Sequence, residues 1–532
     1  MSTPRTTTST ASWLAWAQRF AALLLIPMLL LLTACDDDDP DDIIGPGNGN
    51  GDPFSVANYD TTGTEITVSD DDGSGIGYTD EDGNELTDIT WESGFVYNLD
   101  NFVFVNDGQT LTIEPGTIIK GLAGSGEDAA ALIVARGGQI FADGNPGSED
   151  PADANPIIFT AEADDGNGLG RNVRGEWGGV ILLGDATLNS NPGETVIEGV
   201  PSTRDRALYG GANDDHSIGV FRFVSIRHTG STLASGSEIQ GLTLGGIGSE
   251  STVEYVESYA SNDDGFEWFG GTVNHKYMIA AWAADDSFDM DEGYRGSNQF
   301  WLAVQGTDEA GRIAEQDGGT DPEDGEPFAT PKIANATYIG IGPDDVVESN
   351  TDGDNNNPYI IHRDNNSTSY FNSIFMDSRF TERTLEIEDL GSGEDSRNRF
   401  LDGTLRYENN LWWNLGPDFD SETTFEDIIQ LTGDGDGGEG FRDVLADYLR
   451  DNGNIFGTES PIVSIDRDAD GAITSFNPLV AGEAATAPPE PSEFGDVGGV
   501  NSDYTNVDYH GAFGTTNWAA GWTLLSQTGE LE

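Results

Sequence analysis

Two stretches of the chain repeat each other at an offset of 22 residues: Tyr255, Asp263-Asp264 and Phe266-Glu267-Trp268 are matched by Tyr277, Asp285-Asp286 and Phe288-Asp289-Met290. Along an extended strand, alternation sends the two apolar residues of each triplet to one face and the carboxylate between them to the other. If the apolar residues face a core, Glu267 and Asp289 project outward from neighbouring strands about 4.8 Å apart. Asp263, Asp264, Asp285, Asp286 and Asp291 then crowd the adjoining turns. Like charges that close repel unless a cation, a proton or an arginine intervenes. The chemistry this set suits is calcium binding, because that ion takes several carboxylate and carbonyl oxygens in flexible geometry. The competing reading is a set of aspartate-rich turns that hold no ion.

A second acidic run, Asp466-x-Asp468-x-Asp470-Gly471-x-Ile473-x-Ser475, has the spacing of the first two-thirds of an EF-hand-type loop, with glycine at the sixth place. Asn477 stands where the bidentate glutamate would be, and no clear helix flanks the run, so a structural calcium loop and a plain acidic turn both remain open. Other chemistries are excluded. No histidine is followed by glutamate, which removes the HExxH zinc motif, and no glycine is followed by lysine, which removes a phosphate-binding P-loop. Cys35 is the sole cysteine. The chain carries 95 acidic and 23 basic residues, a formal net charge of −72, and its only lysines are Lys120, Lys276 and Lys332. Nucleic-acid binding needs a basic footprint that is missing. Self-repulsion on this scale points to a salt-adapted, halophilic protein working under strong screening.

The elements that would position these residues are short strands. Apolar runs such as Phe102 to Val105, Leu111 to Ile113, Leu132 to Val134 and Ile157 to Phe159 alternate with Gly/Asp/Asn clusters, and Leu111 to Leu132 is a step of 21. A strand-rich period of roughly 20 to 25 residues is that of a solenoid whose coils bury their inner faces only by stacking. A β-sandwich array would instead show hairpin signals and no constant step. Phe441, Val444, Leu445, Tyr448 and Leu449 fall at helical spacing and predict one short amphipathic helix that covers an end or flank.

Three sets of residues carry resemblances. Arg5, Arg19, the apolar run from Phe20 to Leu32 and Leu32-Thr33-Ala34-Cys35 resemble a bacterial lipoprotein signal and lipobox, which implies lipidation of Cys35. Acidic residues Asp36 to Asp39 resemble a surface-export signal of some lineages and an inner-membrane retention signal of others. The expectation is an outer-membrane lipoprotein, surface-exposed, with the periplasmic face as the alternative. Leu111-x-Ile113-x-Pro115-Gly116-Thr117-x-Ile119-x-Gly121, Trp177-Gly178-Gly179-Val180 and the 22-residue step resemble the right-handed parallel β-helix proteins of the pectate-lyase-like class.

The expected fold is therefore all-β: a right-handed parallel β-helix solenoid with an N-terminal cap and a C-terminal segment containing a short helix. The expected division is a signal peptide over 1–34, an acidic and Gly-rich tether over 35–53, a cap over 54–95, the β-helix over 96–415 and its continuation and cap over 416–532. Polysaccharide lyases of this class use calcium and a basic side chain, which by resemblance nominates Lys276 and Arg295 as catalytic bases, with Arg227 and His275 near them. The leading expectation is a lipid-anchored, non-catalytic protein that binds an extracellular polysaccharide or a surface protein through a calcium-stabilised β-helix. The alternatives are a calcium-dependent polysaccharide lyase and a structural surface protein.

Overall fold

The computed structural model describes residues 55–489 and 504–532, with breaks at 57, 81–82, 202–204, 235–236, 320–321, 343–356 and 436. The signal over 1–34, Cys35 and the tether over 35–53 lie outside the described residues. Most regular elements are short strands paired in parallel with the strand one coil away. Each coil contributes to three faces in the same chain order. Sheet I holds ten parallel strands among the described residues, from Phe102–Val105 to Ile429–Thr432. Sheet II runs from Asp88–Trp91 to Tyr407–Glu408, and sheet III from Glu65–Ser69 to Ile455–Phe456. Three longer strands, Gly219–Arg227, Thr252–Tyr259 and His275–Ala281, pass from sheet II into sheet III around a corner and join the two. The fold is a parallel β-helix, as the repeats imply.

Alternation decides what fills the interior. In sheet I, Val103, Leu132, Val180, Leu242, Phe266, Phe288 and Leu385 point inward and belong to one continuous core. Trp177, Trp301 and Trp412 are fully buried rather than displayed to solvent. The corner between sheets II and III requires a left-handed backbone, and Phe223, Tyr255, Tyr277 and Phe300 adopt it in successive coils, followed by Asn335, Asn372 and Asn409. That conformation costs a residue other than glycine about 1–2 kcal/mol. The four rings stack at centroid spacings of 4.2, 4.1 and 5.0 Å, and each such pair contributes about 0.5–1.5 kcal/mol beyond its buried area, which offsets the cost. Asparagine tolerates the same backbone because its short polar side chain bonds locally.

The 22-residue repeat is one coil: Val256 pairs with Met278 and Phe266 with Phe288. The step of 21 from Leu111 to Leu132 is not a coil. Leu111 pairs with Ile140 in sheet II, whereas Leu132 pairs with Val103 and Val180 in sheet I, because longer turns stretch the early coils. Parallel pairing also extends past 96–415 in both directions. The antiparallel hairpin Tyr59–Thr62 with Glu65–Ser69 caps the N-terminal end, yet its second strand already pairs in parallel with Val96–Asp100. At the other end, the helix Gly438–Asp451 buries Phe441, Leu445 and Leu449 in the solenoid core and leaves Val444 half exposed.

Outward faces are treated differently from one another. Sheet III is apolar outside, with Ile279, Leu302, Ile339, Ile374 and Met376, and is covered by the hairpin Ile462–Arg467 with Ile473–Val480 and by residues 504–532. Trp522 packs edge-on against Phe223 and Tyr255. Fully buried Glu257 accepts hydrogen bonds from the backbone N–H groups of Leu524 and Leu525 at 2.7 and 2.9 Å. The C-terminal segment is thus part of the folded body. Trp522→Ala is expected to reduce unfolding free energy by about 3–5 kcal/mol, and Val444→Ala to change it by no more than about 0.5 kcal/mol, measured by denaturant unfolding in high salt.

Candidate metal centre

One outward row of sheet I carries the site. In register from coil to coil it reads Phe104, Ile133, Ile181, Thr243, Glu267, Asp289, Glu315, Ile361, Glu386 and Gln430. Its first three members are apolar and lie beneath Leu188, Ile197, Val200 and Tyr209 of the excursion between Leu183 and Gly219. After Thr243 the row becomes acidic, still flanked by the excursion, whose Tyr209 packs on Phe269 and donates to Glu292, and Phe266 and Trp268 on the inner side hold Glu267 facing outward as alternation demands.

Oxygen atoms of Asp264, Glu267 and Asp289 lie within 4.8 Å of one another, and so do those of Asp263, Asp264 and Asp285. Two unit charges at that separation repel by about 3.5 kcal/mol at an effective dielectric of about 20. Burial, then neighbouring Asp289, pushes the Glu267 carboxyl well above its usual range. Burial, then Asp263 and Asp289, does the same to Asp264, and burial with Glu315 and Asp317 does it to Asp289. Glu267 Oε2 and Asp289 Oδ1 are both buried and have no hydrogen-bond partner. Asp264 Oδ1 accepts from the Asp286 backbone N–H at 2.9 Å. Gly311 makes room for the turn carboxylates: a Cβ there would stand 2.1 Å from Asp285 Oδ1 and 2.5 Å from Asp286 Oδ1.

The solenoid supplies its own control for this charge. The residue three places before each outward carboxylate sits in the preceding turn, and in the coils that carry one it is Asp264 before Glu267, Asp286 before Asp289, Arg312 before Glu315 and, past the Ile361 coil, Arg383 before Glu386. Where that residue is arginine, the carboxylate is matched: Arg312 Nη1 lies 2.5 Å from Glu315, and Arg383 Nη2 lies 2.7 Å from Glu386. Arg363 adds a second contact to Glu315 at 2.5 Å and a bidentate pair with Asp317. Although burial opposes it, the hydrogen bond from Asp286 and the two guanidinium groups hold the Glu315 carboxyl below its usual range. The Asp286 carboxyl is raised in turn, by burial first and then by Glu315. Sequence reasoning missed Arg312, Glu315 and Arg363; the signal was the three-residue spacing from arginine to glutamate, which repeats at Arg383-Glu386.

The remaining expected residues fall elsewhere or at the margin. Asp291 ends the strand that carries Asp289, and its Oδ1 accepts from the Glu292 backbone N–H. Lys276 stands on sheet II in an outward ladder with Asp143, Arg222, Glu254 and Gln299, and its Nζ donates to Thr505 Oγ1 at 3.1 Å. Arg295 pairs with Asp214 at 3.2 Å. Arg227 is buried beneath the C-terminal segment, where its Nε donates to Ser225 Oγ. His275 is a core residue: it accepts from Trp268 Nε1–H at its Nε2, bonds Val253 O through Nδ1, and is pushed down to about 4 by burial. Neither Lys276 nor Arg295 is on the acidic row. Asp466, Asp468 and Asp470 lie at the end of the hairpin Ile462–Arg467 with Ile473–Val480. There Asp468 Oδ1 accepts from the backbone N–H groups of Asp470 and Ala472, and these three are not among the carboxylate groups whose oxygens converge in the described residues.

A solenoid of three parallel sheets with inserted turns defines a parallel β-helix protein with a carboxylate cluster on its flank. The model of the pectate-lyase-like β-helix domain family matches residues 83–360, more than half of the chain, and the chain belongs to that family. Neither the curated proteins nor the solved structures contain a significant match.

The raised carboxyls fix the sign of a pH dependence. Their folded values lie above the ordinary 3.8 of aspartate and 4.5 of glutamate, so the protonated forms favour the folded state and stability is lost as pH rises from the ordinary values through the folded ones. Asp364, raised to about 6, and Glu388, raised to about 7, both chiefly by burial, act in the same window. In chelator and high salt, the midpoint of thermal unfolding is expected to fall as pH is raised from about 4 to about 7. Saturating calcium should flatten that decline; a profile in chelator that is already flat would contradict it.

Proposed function

We propose that this chain is a lipid-anchored, non-catalytic protein of the cell envelope that uses a calcium-loaded face of its β-helix to hold an extracellular acidic polymer. The observation that carries the reading is the unmatched set Asp264, Glu267 and Asp289 on an outward row, beside coils of the same row that carry their own arginines. A chain of net charge −72 repels an anionic polymer, so attraction at this face has to pass through a cation. Calcium shared between protein carboxylates and polymer carboxylates supplies it, since that ion accepts six to eight oxygen ligands, a number that three protein groups leave unfilled. Cys35 at the end of an apolar leader and the Gly-rich stretch that follows would tether the body at the membrane surface.

The absence of catalysis in this reading rests on the neighbours of the cluster. A lyase needs a base to take the proton alpha to the uronate carboxylate. The basic groups flanking the cluster are Arg312 and Arg363, each engaged by carboxylates. Arg363 is raised further: burial lowers it, but Asp317 and Glu315 outweigh burial and hold the guanidinium charged. Neither is free to accept a proton.

The test incubates the full-length chain, in detergent and high salt, with immobilised acidic and neutral polysaccharides, with calcium or with chelator. Ultraviolet absorbance is followed for unsaturated products. Expected are retention on uronate polymers that chelator abolishes, at least tenfold weaker retention of Glu267→Gln/Asp289→Asn, and no rise in absorbance. A calcium-dependent rise would make the protein a lyase. Lack of retention on every polymer would overturn polymer binding and leave a structural surface role.

A further inference from the structure

We infer that the carboxylate cluster holds two divalent cations that share Asp264, one framed by Asp263 and Asp285 and the other by Glu267 and Asp289. The inference rests on reading the cluster as a cation centre and specifies how that centre is built.

Two groups of three oxygens exist, each with all members within 4.8 Å, and Asp264 belongs to both. Oxygens bound to one calcium ion at about 2.3–2.6 Å can be at most about 5 Å apart, so each group fits around a single ion. The groups differ in origin. Asp263 and Asp285 come from the turns that lead into successive strands of sheet I, whereas Glu267 and Asp289 come from the strands themselves. Asp264 stands where turn becomes strand, which is why it reaches both. One coil repeat, from 263-264-267 to 285-286-289, would make two equal sets, but Asp286 is withdrawn by Arg312, whose backbone N–H and guanidinium both engage it. That leaves Asp264 as the shared member.

An observation independent of the acidic count points to a ligand on the strand side. Glu267 is only 6% exposed, one of its oxygens converges with those of Asp264 and Asp289, and its buried Oε2 lacks any hydrogen-bond partner. Leaving a buried carboxyl oxygen unpaired is costly enough that such atoms in folded proteins are normally hydrogen-bonded or bound to a metal. On the turn side, Gln240 Nε2 donates to Asp263 Oδ2 at 3.3 Å and helps hold that carboxylate in place. One divalent ion would compensate two of the five negative charges on Asp263, Asp264, Glu267, Asp285 and Asp289; two ions compensate four.

Stoichiometry decides the matter. The full-length chain, stripped with chelator and kept in about 1 M salt, where screening suppresses diffuse counter-ion binding, is titrated with calcium in a calorimeter and with terbium followed by luminescence. Two saturable sites per chain are expected. Asp263→Asn/Asp285→Asn and Glu267→Gln/Asp289→Asn should each remove one site and keep the other, while Asp264→Asn should weaken both at least tenfold. These near-isosteric changes are checked by circular dichroism, and the count in the unaltered chain stands even if a variant fails to fold. A single site lost in both double variants would overturn the shared pair and leave a one-ion centre. No saturable site at all would overturn the cation centre itself.

Discussion

Parallel coils stacked about 4.8 Å apart place each outward residue directly over its counterpart in the next coil, and this repetition is the constraint on which the rest of the molecule depends. Whatever side chain a coil presents, its neighbour must tolerate at close range. Apolar rows tolerate it by packing, as the ring stack of Phe223, Tyr255, Tyr277 and Phe300 does at the corner. A charged row has to alternate or to import the opposite charge. Sheet II alternates, with Asp143, Arg222, Glu254 and Lys276 in register. The acidic row of sheet I cannot alternate through Glu267, Asp289 and Glu315, and it resolves the conflict by different means along its length.

Those means explain how the face is divided. Under the excursion that carries Leu188, Ile197, Val200 and Tyr209, the row is apolar and closed off. From Glu315 onward, arginines placed three residues earlier supply the opposite charge from the same coil. Between those regions lie two coils in which aspartate replaces arginine at the preceding position. A cation from solution is then the remaining source of positive charge short of protonation. The excursion reaches this stretch too, through Tyr209, which packs on Phe269 and donates to Glu292, so the uncompensated carboxylates are buried and their charge is the costlier to leave unmatched. Carboxylates exposed to water elsewhere on this −72 chain need no such account, since solvent screens them.

The sequence was informative where one coil follows another without insertion. Phe266-Glu267-Trp268 and Phe288-Asp289-Met290 could be aligned, assigned to inner and outer faces and brought together before any coordinates, because nothing interrupts that repeat. The same logic misled at Leu111 and Leu132, where two different sheets happen to recur at a similar distance while the true coil is stretched by its turns. Arg312 and Arg363 escaped notice because the excursions that follow Asp291 and Asp317 hide the coil to which each belongs. The Asp466 run shows the limit of spacing as a guide. Alternating aspartates ending in glycine describe a hairpin end closed by its own backbone N–H groups as well as they describe a metal loop. The family match gives the fold and says nothing of the row on which these charges stand.

The most direct measurement is a crystal structure of the protein grown from calcium-containing high-salt solution, with anomalous data collected at a wavelength where calcium scatters measurably. The account predicts anomalous density about 2.3–2.6 Å from the carboxylate oxygens of Asp264, Glu267 and Asp289, and none beside the arginine-matched pair of Arg383 and Glu386. Density confined to other acidic turns, or carboxyl groups of Glu267 and Asp289 hydrogen-bonded to each other with no ion between them, would contradict it.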